Sequence, residues 1–179
     1  MNDSHWNMFL DSTGTKVKTW GQSIFMGLDC SSRAVHAVLV DEYEQVVGQG
    51  KWRSAEIDFN VRFLEIMQKF NEDLSKISLI QEAAVESAIF IQNPKSTMEI
   101  ATVVGGVRLI CNQNGLECLP VDNRHWKKYV LGKGNLNKKA IKAFTIEKWG
   151  DIFAEQDWSD AACIAVWMKR RANDELKKD

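Results

Sequence analysis

Apolar residues fall along the chain in two rhythms. Between residues 24 and 52 they come as short runs: IFMGL over 24–28, AVHAVLV over 34–40 and QVVGQGKW over 45–52. The first two flank a polar loop, Cys30-Ser31-Ser32-Arg33, and predict a hairpin; the third adds a meandering strand that carries glycines. From residue 57 the interval changes. Ile57, Val61, Phe63, Leu64, Met67, Phe70 and Leu74 form a stripe that predicts a helix over 57–74. Residues 79–91 read as a buried strand holding Glu86, stopped by Asn93-Pro94. A second helix is predicted over 95–114, with Ile100, Val103, Val104, Val107, Leu109 and Ile110 on its apolar side. Gly105-Gly106 inside it costs roughly 1 kcal/mol per glycine relative to alanine, which predicts a close approach to sheet backbone there. A short strand over 116–121, a short helix or turn over 123–131 and a loop over 132–135 come next, then helices over 136–149 and 158–171.

Strands first, then strand and helix in alternation, predict an α/β fold. Its sheet is covered on both faces, antiparallel at one side and parallel at the other. Residues 1–22 show no period and read as an extension whose Trp6, Phe9 and Trp20 pack on the domain or on a partner. The expected domain is 23–172, and 173–179 is a charged tail.

Composition narrows the class. At 45% hydrophobic and 26% charged the chain reads as a globular domain. No apolar run approaches the roughly 20 residues of a membrane-crossing helix, and residues 1–14 do not read as a secretory signal. Cys30, Cys111, Cys118 and Cys163 form no zinc pattern and predict free thiols in a cytoplasmic protein.

Four acids stand apart from the surface background. Asp29 and Glu86 each end or interrupt an apolar strand, where a carboxylate needs a partner such as a metal ion; Asp29 reads alternatively as a side-chain cap of its turn, and Glu86 as the partner of a buried base. Asp157 and Asp160 stand three apart at a helix start, on one face. They read equally as an N-cap and a first-turn acid. The small pair Ala161-Ala162 lets that helix approach the sheet. If the four acids meet, hard oxygen ligands select Mg²⁺ or Mn²⁺ over zinc. A net charge of −1 conceals a basic strip: residues 124–148 hold eight lysines and arginines and one acid, Glu147. Alone the strip reads as a solvated helix face; beside the acids it reads as a track for a DNA backbone. Trp126 and Trp149 read as core, His36 as packing, and His125 as a distant candidate for a phosphate contact.

Met26-Gly27-Leu28-Asp29-Cys30-Ser31, Ala84-Val85-Glu86-Ser87, Asn93-Pro94-Lys95-Ser96 with Val104-Gly105-Gly106-Val107, and Asp157-Trp158-Ser159-Asp160-Ala161-Ala162 together resemble the RuvC-type Holliday junction resolvases, from about residue 24 to residue 170. Cys30-Ser31 departs from the family's usual Pro-Gly at the first turn. The resemblance implies a ribonuclease H-like three-layer α/β/α fold with a five-stranded mixed sheet. It implies two Mg²⁺ ions per site, with Mn²⁺ able to substitute, held by Asp29, Glu86, Asp157 and Asp160. It implies a catalytic lysine at Lys138 and a DNA phosphate contact at Lys127, with the register between Lys127/Lys138 and Lys128/Lys139 left open; the basic strip adds Arg124, Lys128, Lys133 and Lys139 as DNA contacts. The junction wedge would fall at Ile89 or the adjacent Phe90. The implied protein is a homodimer that nicks a four-way DNA junction symmetrically; a nuclease for forks or flaps, or a junction binder without cleavage, are the alternatives.

Overall fold

The structure is a computed structural model that describes residues 6–8, 23–77, 79–88 and 93–177 of the 179. Strands β1 (Trp6–Met8), β2 (Ile24–Cys30), β3 (Ala34–Val40), β4 (Val46–Arg53), β5 (Ile80–Glu86) and β6 (Cys118–Val121) form one sheet in the order β1-β4-β3-β2-β5-β6. Pairings are antiparallel from β1 to β2 and parallel from β2 to β6. The five expected strands are thus joined by a sixth, from the N-terminal extension, laid along the edge of β4. Phe9, Trp20, Ile89 and Phe90 lie outside the described residues.

Helices α1 (Phe59–Leu74) and α2 (Pro94–Gln113) cover one face of the sheet. Helices α3 (Asn123–Leu131), α4 (Lys138–Trp149) and α5 (Gln156–Leu176) cover the other. Alternation in β2 divides the two cores: Ile24, Met26 and Leu28 face α1 and α2, while Phe25 faces α5. Among the described residues no helix is long and apolar enough to cross a membrane.

Several sequence expectations are corrected. Ile57 precedes α1 and is 94% exposed, and Val61 and Leu64 face solvent, because Ile66, Met67, Phe70 and Leu74 make the buried stripe. Leu109 is exposed for the same reason, one residue off the Val103, Val107, Ile110, Cys111 face. The glycine pair in α2 does not meet sheet backbone: Gly106 admits Phe63 and Met67 of α1, and a side chain at Gly105 would meet open space. The close approach to the sheet occurs at Gly27 in β2, where an added Cβ would lie 2.1 Å from the Ala161 carbonyl oxygen and 2.2 Å from the Ala165 nitrogen. α5 also runs past residue 171, so most of the charged tail is its last turn.

The far end of α5 is pinned by one residue. Glu44, in the β3–β4 turn, adopts φ 61°. Its carboxylate accepts hydrogen bonds from Arg170 Nε (2.7 Å), Arg170 Nη2 (3.0 Å) and Lys148 Nζ (2.7 Å), and its carbonyl accepts from Trp149 Nε1. Burial alone would raise its pKa; the Arg170 and Lys148 hydrogen bonds outweigh burial and bring it down to about 2. A lowered folded-state pKa contributes stability above the unfolded value near 4.5, lost as pH falls toward 2. Glu44→Gln is therefore expected to cost about 1–2 kcal/mol at pH 7, because it removes the charge partner of the half-buried Arg170 and Lys148. Urea denaturation at pH 7 and pH 3 should show that deficit shrinking with acid.

Candidate functional site

The site is laid out by strand register. In β2 and β3 Asp29 pairs with His36, and in β3 and β4 His36 pairs with Lys51. In the parallel pair Leu28 lies beside Val85, so Asp29 and Glu86 follow side by side at the strand ends. Glu86, Asp29, His36 and Lys51 thus form one row across four strands on the face covered by α5. The small residues Gly27, Ala161 and Ala165 let the start of α5 descend onto that row, bringing Asp157 and Asp160 with it.

Strand register and the seat of α5 place the four acids within one another's electrostatic field. Asp29 is partly open at the sheet end yet enclosed by protein on most sides. Its pKa is raised well above the ordinary carboxylate value, first by burial and then by Glu86, Asp160 and Asp157, with Lys138 acting in the opposite direction. Asp160 is pushed up to about 6, mainly by burial and further by Glu86; the Gln156 hydrogen bond, Lys127 and Lys138 oppose the rise. Lys127 and Lys138 are the lysines whose charge opposes the rise at these acids. Lys138 is the first residue of α4, whose amides Asn137 caps.

Each alternative role for these acids meets a different arrangement. Ser31 Oγ, not Asp29, closes the β2–β3 turn, accepting from Ala34 N at 3.0 Å. Buried Arg62 reinforces that turn by donating to the Ser32 carbonyl. The N-cap of α5 is Glu155, so Asp157 is a first-turn residue and not the cap. Among the described residues Glu86 is paired with no base: Asn123 Nδ2 donates to one oxygen and Trp126 Nε1 to the other, both at 2.8 Å. Sequence reasoning missed these two as partners of Glu86. The helical spacing of Asn123, Trp126 and Val130 on one face held the signal, since a buried indole N–H needs an acceptor. His36 is buried between Glu155 and Asp157, and burial lowers its pKa despite both carboxylates.

Among the described residues, no three acidic, cysteine or histidine side chains close around a single point in their present rotamers. The donor chemistry nevertheless fits a hard divalent cation: four carboxylates in one field, the innermost held protonation-prone by its neighbours. Of the basic strip, Arg124, Lys128, Lys133, Lys138 and Lys139 are exposed, and Lys127 lies over the Trp126 ring at 5.4 Å. Lys142 and Lys148 are instead spent on structure, paired with Asp151 and Glu44.

A mixed sheet between two helical layers, with carboxylates gathered where β2, β5 and the start of α5 meet, defines a ribonuclease H-like nuclease domain. The sequence model described as crossover junction endodeoxyribonuclease RuvC matches residues 25–168, and the chain belongs to that family, one of metal-dependent nucleases. Crossover junction endodeoxyribonuclease RuvC of Salinibacter ruber is 29% identical over 150 residues, covering 80% of this chain and 83% of that protein. Its counterpart in Brachyspira hyodysenteriae is 27% identical over 109 residues, 61% of this chain and 68% of its own. Thermus thermophilus RuvC in complex with Holliday junction substrate has the same fold, with a TM-score of 0.70 at 15% identity over 84% of this chain and 96% of that one.

Proposed function

We propose that this chain resolves four-way DNA junctions as a homodimer, each protomer nicking one of two opposed strands to leave 5′-phosphates. Asp29, Glu86, Asp157 and Asp160 hold two Mg²⁺ ions per site. The observation that supports this most is the mutual field of the four acids around Asp29, opposed by Lys138. Mg²⁺ bound among these oxygens supplies an activated water and neutralises charge on the leaving oxygen.

The chain's own residues do the rest. Asp29, flanked by Glu86 in the sheet and overhung by Asp157 and Asp160, would be the central carboxylate holding the metal. Asn123 and Trp126 fix both oxygens of Glu86, so its orientation is set before substrate arrives. Lys138, exposed at the start of α4, counters the negative charge of the phosphate in the transition state. Arg124, Lys127, Lys128, Lys133 and Lys139 track the DNA backbone, and log affinity falls with log salt by about 0.9 per phosphate neutralised. Dimerisation uses the outer side of α2, where Met98 and Leu109 are 70% and 58% exposed. The four free thiols suit a cytoplasmic location.

The test is a labelled four-way junction incubated with the protein in Mg²⁺ and in Ca²⁺. Cutting in Mg²⁺ and binding alone in Ca²⁺ is expected; equal cutting of forks or flaps would redirect the substrate, and binding without cutting in Mg²⁺ and Mn²⁺ would make this a junction binder. Lys138→Ala should slow single-turnover cleavage by about 10²-fold with little change in affinity measured in Ca²⁺. A loss confined to affinity would make Lys138 a tether.

A further inference from the structure

Helices α1 to α4 each begin under a side chain, Asp58, Asn93, Asp122 or Asn137, that accepts from the helix's own amides. Helix α5 differs. It begins at Glu155, whose side chain makes no such bond. The Glu155 carboxylate is turned to the sheet instead, where Lys51 Nζ of β4 lies 2.6 Å from both of its oxygens. The first turn of α5 is tied to the same strand. Trp158 donates from Nε1 to the Gly50 carbonyl at 3.4 Å, and the Lys51 ammonium lies 6.0 Å from the centre of the Trp158 ring. The Lys51 side chain is 23% exposed, and Glu155 is its carboxylate partner among the described residues.

We propose that Lys51 is the positioning residue for the metal-binding turn of α5: its grip on Glu155 fixes where the helix begins, and so where Asp157 and Asp160 stand over the sheet. The proposal rests on Asp157 and Asp160 being metal ligands. Short side chains such as Asp, Asn, Ser and Thr make good N-caps, and glutamate is not among them. Local sequence therefore does little to fix the start of α5, and the contact with β4 does it instead. Asp157 and Asp160 lie two and five residues beyond Glu155, so a shift of that residue carries both acids with it. Gly27 sets how deeply α5 sinks onto β2. Lys51 and the Gly50 carbonyl, two strands away, set its heading. Outer contacts of this kind commonly orient metal ligands, and this one adds no net charge to the site, because a lysine and a glutamate cancel.

Mn²⁺ binding to the DNA-free protein, followed by electron paramagnetic resonance, tests this without relying on cleavage. The variant carrying both Lys51→Met and Glu155→Gln loses one charge of each sign, so a change in metal affinity reports geometry and not net field. It is expected to bind Mn²⁺ about 10-fold more weakly and to need correspondingly more Mg²⁺ for half-maximal cleavage, while binding a junction in Ca²⁺ as the native chain does. Lys51→Arg, which keeps a donor for both Glu155 oxygens, should retain native metal dependence. The reversed pair, Lys51→Glu with Glu155→Lys, should recover part of what the neutral pair loses. Native Mn²⁺ affinity in the neutral pair, even with a lowered Tm, would mean that Lys51 only stabilises the fold and would overturn the positioning role. So would a loss in Lys51→Arg as large as in the neutral pair. Should the neutral pair fail to fold, Lys51→Arg and the reversed pair still decide: weak Mn²⁺ binding in both would overturn the role. Native affinity in Asp157→Asn and in Asp160→Asn would instead remove those acids from the metal site, a failure of the functional reading that is visible separately.

Discussion

Asp29→Asn is expected to bind a four-way junction as the native chain does and to cut it at least ~10³-fold more slowly, since the central ligand of the metal centre is lost. The same variant should be more stable than the native protein when metal is removed. Burial and the charges of Glu86, Asp160 and Asp157 raise the Asp29 pKa in the fold. A carboxyl group raised on folding carries a penalty at neutral pH; the penalty fades as pH falls through the folded pKa and is gone below the unfolded value of 3.8. Neutral asparagine has no such penalty, so its advantage in EDTA should be present at pH 8 and vanish near pH 4. Saturating Mg²⁺ should reverse the order, because a ligand at 100 times its Kd stabilises the native site by about 2.7 kcal/mol. Thermal melts of both proteins, with EDTA and with Mg²⁺, read all of this. Wild-type-like cutting by Asp29→Asn would exclude Asp29 from the mechanism.

Gly27→Ala should be severely destabilising. The atoms its Cβ would strike are the Ala161 carbonyl oxygen at 2.1 Å, the Ala165 nitrogen at 2.2 Å and the Ala165 Cα at 2.9 Å. All belong to helix backbone, so no rotamer change relieves the clash, and α5 must lift from β2. Overpacking of flexible cores costs about 1–3 kcal/mol; a backbone-to-backbone clash of this size should exceed that, by ~4 kcal/mol or more in total, or roughly 10 °C in Tm for a domain of this length. Any folded fraction should cleave poorly, since Asp157 and Asp160 ride on the displaced end. Gly105→Ala is the control: its side chain meets nothing within 4 Å, and helix propensity predicts a small gain. A Gly27→Ala protein that melts with the native one would mean that β2 and α5 do not pack as described.

Much of this architecture was legible in the chain. Short β-rich runs bounded by polar turns located β2, β3 and β4, and Asn93-Pro94 marked the start of α2, where Asn93 does cap the helix. The four acids could be picked out because each interrupts an apolar strand or opens a helix rich in alanine. Periodicity did less well at helix margins. Ile57, Leu64 and Leu109 are apolar and near the right spacing, but a helix buries only the stripe its neighbours cover, and α1 and α2 cover less than their apolar residues would allow.

The succession of strands and helices along the chain, the identities of the carboxylates and the basic character of residues 124–148 were determined by the sequence itself, because local propensity and composition need no partner to be read. Only the tertiary structure decided that Asn123 and Trp126 grip Glu86 and that His36 stands beside Asp157. These facts depend on strand register and on how far α5 sinks onto the sheet. Both are set by backbone contacts between residues more than a hundred positions apart, as Gly27 and Ala161 are, and a one-dimensional pattern carries no term for such contacts.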